Sequence, residues 1–517
     1  MMIPEHYQDH ETPRYTRETV QEQQIDDREP GQNSTLAIKF LVSIFAVITF
    51  SFILGLFFRS TLRFSPMYNE GWNAGLMGLW VSGEPLYHPP SAWIVNNYPP
   101  LSFVLVRVVM TLVPDAVFAG RLVSAAAFVA ASSFIALILQ ALSRDEVASI
   151  LGGLVFAAFM AINGQFYVAT DDPQMLSIAI SLAGLFIYTL RPNNSLYQIL
   201  SSSVFVLSLF VKHNNIAMPL TLALWLLIFD RRAFLRFSAT GLLLSAGLFY
   251  LFAGLFGPNF TSGLLAPRHY ALARAFRWTM PNLTPILPLM VFAVMPAFLL
   301  KPGRFAILFA LYVGMAAAIG ALELGGDGTG INALFEIVIA ASLGSGLLVA
   351  RLADTQREFG KLRIWAIAGI IACTLLTPGL VDRKDILTGL PWFVEMHNRE
   401  RRTLDIVNII QRSNGPALCA TNIFCYWAGK PFAFDAFNFD QSVRAGRIAP
   451  EALAESIASG KYSVIELEEN GEAQIQRPGA MFDIGSLNSQ EIKRTLDKIY
   501  QKIPFTGTNI VLYVRTH

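Results

Sequence analysis

The chain has 517 residues, of which 53% are hydrophobic and only 15% are charged, and its mean hydropathy is +0.46. Soluble proteins carry about 25% charged residues, so this composition excludes an ordinary set of soluble domains, an intrinsically disordered chain and a disulfide-rich secreted scaffold. A net charge of +2 also supplies no field that would hold nucleic acid. The composition indicates a polytopic membrane protein.

Long apolar runs dominate the first three quarters of the chain, and a membrane-crossing helix needs about 20 mainly apolar residues. Eleven runs qualify: residues 35–58, 116–141, 147–166, 174–190, 197–212, 215–229, 237–256, 283–300, 304–323, 331–350 and 363–380. The polar head before them, 1–34, is too long and too acidic for a signal peptide, which predicts an uncleaved first helix. We therefore predict an all-α membrane domain over 35–380.

The stretch 101–113 is only 13 residues long and is bounded by prolines, which favours a re-entrant or interfacial helix over a crossing. If this stretch does not cross the membrane, the loops with basic residues all fall on one side. These residues are Arg144, Arg191, Arg231, Arg232, Arg236, Lys301, Arg304, Arg351, Arg357, Lys361 and Arg363. The positive-inside rule makes this side cytoplasmic. We expect a multi-pass protein of the plasma (inner) membrane, with a cytoplasmic N-terminus and with loop 59–115 outside.

The last segment, 381–517, has ordinary charge density and predicts a small α/β domain on the outer side. Its β-rich runs predict strands at 417–421, 432–434, 463–467 and 509–514, and its helical patterns cover 450–459 and 489–500. Cys419 and Cys425 could pair if this domain faces an oxidising compartment. None of its residues suggests catalysis.

The first outer loop carries an acid at the start of a predicted helix. From Glu70 onward, Trp72, Leu76, Leu79 and Trp80 recur at helical spacing and form one apolar stripe. This pattern predicts a helix in the plane of the interface, with tryptophan at the level of the lipid headgroups. Glu70 would complement the helix dipole or act as a functional carboxylate at the membrane surface.

Two further outer turns carry ionisable residues. Asp171 and Asp172 precede Pro173 and an apolar run, so one of them is expected to cap that helix. The other is a candidate for a metal, a substrate or a base. Lys212 lies between two spans, where it would either extend to the interface or bind a phosphate. His213 beside it is more often a structural histidine.

The loop 257–282 places positive charge on the outer side, in Arg268, His269, Arg274 and Arg277. Its partner would be lipid headgroups in general or one specific lipid phosphate, which arginine binds in a bidentate manner. Glu323 and Asp327 flank a glycine-rich turn, and Glu336 lies inside an apolar run, where an ionisable group is a functional candidate.

Acids and cations on the outer face at the lipid boundary fit glycosyl transfer from a lipid-linked phosphosugar. The phosphate leaving group is already acidic, so one carboxylate suffices to take the acceptor proton. Cationic side chains or a divalent metal would stabilise charge on the departing phosphate. The alternative is a transporter or flippase for a polyprenyl-linked saccharide, although no internal repeat is visible.

Four motifs resemble the GT-C membrane glycosyltransferases, in particular the branch of protein O-mannosyltransferases and aminoarabinose transferases. They are Tyr68-Asn69-Glu70-Gly71-Trp72, Tyr98-Pro99-Pro100-Leu101, Gly120-Arg121-Leu122 and Thr170-Asp171-Asp172-Pro173. The resemblance covers about residues 35–350. It implies a polyprenyl-phosphate sugar donor, an inverting mechanism and an acceptor hydroxyl on a lipid, a glycan or a protein.

The same resemblance assigns the base to an acid of the first outer loop, which here is Glu70. Many relatives have Asp-Glu where this chain has Asn69-Glu70, so Asp172 is the alternative base. Lys212 and the loop arginines would hold the lipid phosphate, and the predicted substrate-binding group is Lys212, His213, Arg268, Arg274, Arg277, Asp171, Asp327 and Glu336. A divalent metal, if one is used, would be held by Glu70, Asp171 and Asp172.

Overall fold

The computed structural model describes residues 29–298, 303–354, 360–376, 390–468, 490–505 and 508–515. Most of the predicted polar head and the basic residues Lys301 and Arg357 lie outside these ranges. So do the C-terminal ends of the predicted runs 283–300 and 363–380.

Helices coincide with all eleven predicted apolar runs. They are α1 (Glu29–Arg59), α4 (Ala116–Ser143), α5 (Glu146–Asn163), α6 (Gln174–Leu190), α7 (Ser195–Leu209), α8 (Ala217–Phe229), α9 (Arg231–Phe256), α12 (Leu287–Phe298), α13 (Arg304–Glu323), α14 (Phe335–Asp354) and α15 (Gly360–Leu376). Between them lie α2 (Tyr68–Val81), α3 (Leu101–Val109), α10 (Asn259–Leu264) and α11 (Leu272–Leu283). The chain is therefore mostly helical.

Within the described ranges, six helices are long and apolar enough to cross a membrane by themselves: α1, α4, α5, α9, α13 and α14 with the turn before it. The shorter apolar helices are α6, α7 and α8. Helices α11 and α12 form one apolar pair that is bent by 80°. The chain is thus a multi-pass membrane protein, and eleven crossings stay a prediction.

The bend explains why the predicted run 283–300 is not one straight helix. Pro285 lies between α11 and α12, and a proline lacks the amide hydrogen that would continue the hydrogen bonds of the helix. The apolar run therefore begins in the last turn of α11 and continues as α12 in another direction.

Helices differ in how deeply they lie in the bundle. In α14 the whole apolar window is buried, whereas in α9 only 6% of it is. Exposed leucines such as Leu242 and Leu243 on α9 face outward. In a lipid-embedded protein such a surface contacts hydrocarbon, so α14 is the central helix and α9 a peripheral one.

The C-terminal part contains α16 (Leu390–Arg412), α17 (Asn422–Trp427), α18 (Ala436–Arg444), α19 (Ala452–Ala458) and α20 (Gln490–Ile499). Its strands β1 (Ala417–Cys419), β2 (Val464–Glu468), β3 (Tyr500–Pro504) and β4 (Ile510–Arg515) form one sheet in the order β1-β2-β4-β3. β1 and β2 are parallel, and the other pairs are antiparallel. The predicted small α/β domain is present.

Two details of the strand prediction were wrong. Residues 432–434 do not form a strand, because Phe432 packs against Gly75 of α2 and Phe434 against Trp93 of the first loop. Their alternation therefore reflects packing between the two parts of the chain. The edge strand β3 was missed, and it ends at Pro504, a residue that edge positions tolerate.

Helix α2 packs against the C-terminal domain, so the prediction of a lipid-facing interfacial helix was wrong. Trp72 is only 4% exposed, and its Nε1 donates to Asp435 Oδ2 at 2.7 Å. Tyr68 donates to the other oxygen of Asp435 at 2.8 Å. The apolar stripe of α2 is thus covered by protein rather than by headgroups.

A disulfide bond joins Cys419 at the end of β1 to Cys425 in α17. The helix that it fixes lies directly against α2, since a Cβ added at Gly71 would overlap the backbone at Ile423. The possible pairing of these cysteines is therefore realised in the structure, at the contact between the two domains.

Candidate functional site

Glu70 and Arg121 form a buried ion pair below the first turn of α2. Arg121 Nε lies 2.7 Å from Glu70 Oε1, and its Nη2 lies 2.8 Å from Oε2. The remaining guanidinium donors bind the backbone carbonyls of Ser60, Leu62 and Phe64 at 2.6–3.1 Å. Arg121 therefore fixes the chain that leads from α1 into α2, together with the Glu70 carboxylate.

Asp172 is buried and fully engaged. Its Oδ1 accepts from Lys212 Nζ at 2.9 Å and from the backbone N–H of Gln174 at 2.8 Å, and its Oδ2 accepts from Asn69 Nδ2 at 2.7 Å. The bond from Gln174 is the expected cap at the start of α6. Asp172 thus caps the helix, pairs with Lys212, which was predicted to bind phosphate, and accepts a hydrogen bond from Asn69.

Asp171 differs from its neighbour. Its backbone N–H donates to Glu70 Oε1 at 3.0 Å, and its carbonyl accepts from Asn73 at 2.7 Å. Its carboxylate makes no hydrogen bond with another described residue, although Asp171 is only 6% exposed. A side chain at Gly120 would overlap this carboxylate, so the glycine of the Gly-Arg-Leu motif gives it room.

Burial raises the pKa of the Asp171 carboxyl well above its usual range, and the negative charges of Glu70 and Asp172 act in the same direction. The charge of Arg121 opposes this effect. A carboxylate with a raised pKa is a stronger proton acceptor than an ordinary aspartate. The three acids therefore have different properties, and Asp171 is the one available to a ligand.

A cationic face, defined here as Lys212, His213 and Arg268, adjoins the acids. Lys212 Nζ lies 4.9 Å from the centre of the Tyr98 ring. The neighbouring Asn97, with its amide oriented to suit, accepts from Arg268 Nε at 3.0 Å. Tyr98, the first residue of the Tyr-Pro-Pro-Leu motif, thus contacts Lys212, and Asn97 just before it contacts Arg268.

The His213 ring keeps contact with solvent although protein surrounds it. Desolvation, together with the positive charges of Arg268 and Lys212, lowers the pKa of His213 to about 4. His213 is therefore neutral at pH 7 and can donate a single hydrogen bond to an anion.

Asp327 is the centre of a second polar cluster. It accepts from Arg274 at 2.8 Å, from Gln441 at 3.3 Å and from Arg444 at 3.4 Å, and His269 Nδ1 lies 3.6 Å away. Gln441 and Arg444 belong to α18. Arg274 and Asp327 therefore join the outer loops to the C-terminal domain rather than meeting the three acids.

Two predicted site residues lie elsewhere. Glu336 accepts from the backbone N–H groups of Ala217 at 2.9 Å and Met218 at 2.8 Å, so it caps α8 from a neighbouring helix. Arg277 is exposed on the face of α11 that carries Phe276, a side chain that is 80% exposed. Neither contacts the acid cluster.

The acids do not fit a divalent metal. Among the described residues, no group of three or more His, Cys, Asp or Glu side chains is arranged to hold a metal ion. Both oxygens of Glu70 bind Arg121, and both oxygens of Asp172 accept hydrogen bonds, from Lys212 and Asn69 among others. Side-chain cations already neutralise these two carboxylates.

Arg121 and Asn69 belonged to the motifs but were not predicted as site residues. Arg121 is an ionisable residue inside the apolar run 116–141, and the cost of burying a charge there was the signal that could have identified it. Asn69 shows no such signal, because an uncharged asparagine in a loop between helices is ordinary. Asp435 accepts hydrogen bonds from Tyr68 and Trp72, and no sequence pattern marks it as a functional residue either.

Comparisons with known proteins bear on the fold. No family model and no curated protein matches the sequence. Crystal structures of ArnT from Cupriavidus metallidurans, bound to undecaprenyl phosphate and in the apo state, align with TM-scores of 0.58 and 0.59. Each is 12% identical, and each alignment covers 92% of this chain and 98% of ArnT. The Archaeoglobus fulgidus oligosaccharyltransferase complex with Zn and sulfate is 11% identical, with a TM-score of 0.46 over 92% of this chain and 73% of its own.

At this level of identity the similarity is one of fold. It extends over almost the whole of both this chain and ArnT, an aminoarabinose transferase, and includes the membrane domain and the C-terminal domain. The fold expected from the four motifs is thereby confirmed: the chain has the fold of ArnT.

Proposed function

We propose that this protein transfers a sugar from a polyprenyl-phosphate-linked donor to an acceptor hydroxyl on the outer face of the membrane. The observation that carries the proposal is the buried cluster of Glu70, Asp171 and Asp172 with Arg121 and Lys212, in which one carboxylate is left available. A protein of the same fold, ArnT, binds undecaprenyl phosphate.

The cationic face would bind the donor phosphate. Lys212 is held by Asp172, Arg268 is held by Asn97, and His213 supplies a neutral hydrogen-bond donor between positive charges. A phosphate ester with two such cations is stabilised as charge builds on it during bond cleavage. The phosphate is the leaving group, and it needs no general acid because its conjugate acid is already strong.

Asp171 would act as the general base. It takes the proton of the acceptor hydroxyl while the acceptor oxygen forms a bond to the anomeric carbon. The bond from that carbon to the phosphate oxygen breaks, its electron pair stays on the phosphate, and polyprenyl phosphate leaves. Attack opposite the leaving group inverts the anomeric centre.

Glu70, predicted from the motif as the base, would then be a positioning residue. It accepts the N–H of Asp171 while Arg121 holds both of its oxygens, so it orients the base without touching the acceptor. Asp172 is the second candidate base, because its Oδ1 loses a partner when Lys212 turns to the donor phosphate. This step needs no metal ligand from the three acids.

Turnover by the purified protein in detergent tests the proposed activity, because transport is impossible there. Polyprenyl-phosphate sugars are incubated with the protein and an extract of membrane acceptors, and released polyprenyl phosphate is measured. Release that depends on the acceptor extract is expected from a transferase. A transporter or flippase would bind the donor and release none.

Lys212→Ala should weaken donor affinity about tenfold, since a hydrogen bond to a charged group contributes about 1.5–3 kcal/mol. The matched control is Lys461→Ala, which removes another lysine that lies over a tyrosine ring, in the C-terminal domain. Because Lys212→Ala leaves Asp172 unpaired, the charge-free pair Lys212→Gln with Asp172→Asn checks that folding is intact. Unchanged donor affinity in folded variants would remove Lys212 from the phosphate site.

A further inference from the structure

Helix α11 carries an apolar stripe that no described residue covers. Leu272, Phe276 and Met280 follow one another at intervals of four residues and are 61%, 80% and 63% exposed. The buried residues of the helix lie on its other side and are Ala275, Thr279 and Asn282. Large apolar side chains exposed in a row mark a surface that contacts another molecule.

The direction of α11 places it along the membrane rather than through it. Its axis is bent by 80° from that of α12, and α12 packs against the central helix α14. Just before α11, the N–H of Ala271 donates to the carbonyl of Gly325 at 2.9 Å, in the glycine-rich turn that follows α13. Helix α11 therefore lies across the end of the bundle where the predicted outer loops meet.

The exposed stripe continues from α11 onto α12. Beyond Met280, the exposed positions are Thr284, Leu287, Val291 and Phe298, at steps of four, three, four and seven residues. These steps keep to one side of a helix. On α12 this side faces hydrocarbon, because the outward surface of a helix in the bundle contacts lipid. The lipid-facing surface thus extends around the bend to α11.

A free cation lies beside the stripe. Arg277 follows Phe276, is exposed, and makes no hydrogen bond or ion pair with another described residue. The helix contains a second arginine, Arg274, which binds Asp327, and it contains no acidic residue. Apolar side chains with an arginine at their border are typical of a helix at the level of the lipid headgroups, where the guanidinium binds a phosphate with two nitrogens.

The chain that leads into α11 also reaches the candidate site. The carbonyl of His269 accepts from the N–H of Asp327 at 3.0 Å, and the preceding Arg268 belongs to the cationic face. A helix that is held at the membrane surface therefore restrains the segment that carries Arg268.

We propose that α11 lies in the outer leaflet and binds an anionic phospholipid. Leu272, Phe276 and Met280 insert among the first carbons of the acyl chains, and Arg277 binds the headgroup phosphate. A zwitterionic headgroup would bring its own ammonium group to this basic helix, so an anionic headgroup fits better. This binding does not depend on the transferase activity proposed above, because it involves neither donor nor acceptor.

Fluorescence quenching in nanodiscs tests where α11 lies. In the full-length protein, Phe276→Cys is labelled with bimane in a Cys373→Ala background, because Cys373 is the free cysteine. The control carries the label at Lys461→Cys, an exposed position of the C-terminal domain. We expect phospholipids with a nitroxide near the head of the acyl chain to quench the label at 276, and iodide in the water to quench the label at 461. Quenching at 276 by iodide alone, or by neither agent, would overturn the proposal.

The preference for an anionic lipid is tested with the same label. Spin-labelled phosphatidylglycerol should quench it at about a fivefold lower fraction of the lipid than spin-labelled phosphatidylcholine does. Arg277→Gln should abolish this difference, whereas Arg494→Gln, a change at an exposed arginine of α20, should preserve it. Equal quenching by the two lipids, or a preference that persists in Arg277→Gln, would refute binding of an anionic lipid. Leu272→Cys carries the label if Phe276→Cys does not fold.

Discussion

At the scale of single residues, two buried ion pairs organise the site: Glu70 with Arg121 and Asp172 with Lys212. The guanidinium of Arg121 binds Glu70 through two nitrogens and also donates to three backbone carbonyls. Such a fork suits the planar guanidinium and cannot be reproduced by the single ammonium of lysine. The orientation of Asp171 follows from it, because Glu70 receives the Asp171 N–H.

Arg121→Lys should therefore destabilise the protein and lower transfer. Leaving a buried carboxylate poorly paired costs about 3–5 kcal/mol, and we expect a clear drop in Tm measured in detergent. Arg107→Lys is the control, because Arg107 is exposed and lies 4.7 Å above the Trp80 ring. A Tm equal to that of the wild type in Arg121→Lys would contradict the role given to this ion pair.

The sequence predicted that these acids lie close together better than it predicted the contacts that each one makes. The Asp-Asp-Pro pattern correctly indicated that one acid caps the helix, and the structure places Asp172 at the cap. It gave no indication that Asn69 and Lys212 both bind that capping acid, because such contacts join residues far apart in the chain. The pairing of Glu70 with Arg121 was not predicted for the same reason.

At the scale of elements, the contact between α2 and α17 sets the position of the first outer loop. Gly71 faces the backbone at Ile423, and a Cβ at Gly75 would come within 2.7 Å of the Phe432 ring. The disulfide of Cys419 and Cys425 fixes α17 on the other side of this contact. Close helix packing of this kind requires residues without side chains.

Gly71→Ala should push α2 away from α17, because the new methyl group would overlap backbone that cannot move aside. Overpacking of this kind costs about 1–3 kcal/mol, and transfer should fall because α2 carries Glu70. The control is Gly78→Ala in the same helix, where the nearest atom is 3.9 Å away in the Tyr426 ring. Thermal unfolding and turnover of both variants should separate them, and equal behaviour would contradict the docking account.

The apolar stripe of α2 shows a limit of sequence interpretation at this scale. Trp72 and Leu76 at helical spacing indicate that one face is covered, but they do not indicate whether lipid or protein covers it. In the structure the C-terminal domain does so, through Asp435. The bend after α11 was not predicted, although Pro285 lies at it.

At the scale of the whole molecule, the loops predicted to lie outside assemble at one end of the bundle. Asn69 of the first loop contacts Asp172, Lys212 contacts the same acid, and Arg268 contacts Asn97. The distribution of basic residues among the loops predicted this grouping, because every second loop of a multi-pass protein lies on the same side of the membrane. The apolar runs likewise predicted the helices well, whereas the fold of the C-terminal sheet depended on pairings that local patterns do not specify.

Fold and site together support one central proposal: glycosyl transfer is catalysed through the Asp171 carboxylate of the buried acid cluster. In this proposal, Glu70 orients the base through the Asp171 N–H, and the cationic face receives the donor phosphate. Asp145, which pairs with Arg363 at 2.6 Å between other helices, offers a matched acid outside this arrangement.

The most direct measurement is single-turnover transfer by Asp171→Asn, with undecaprenyl phosphate affinity measured in the same preparation. The amide cannot take a proton, so we expect transfer to slow by about 10²–10⁴-fold while the affinity for undecaprenyl phosphate stays unchanged. Asp145→Asn should transfer at the rate of the wild type. Transfer at that rate by Asp171→Asn would contradict the account.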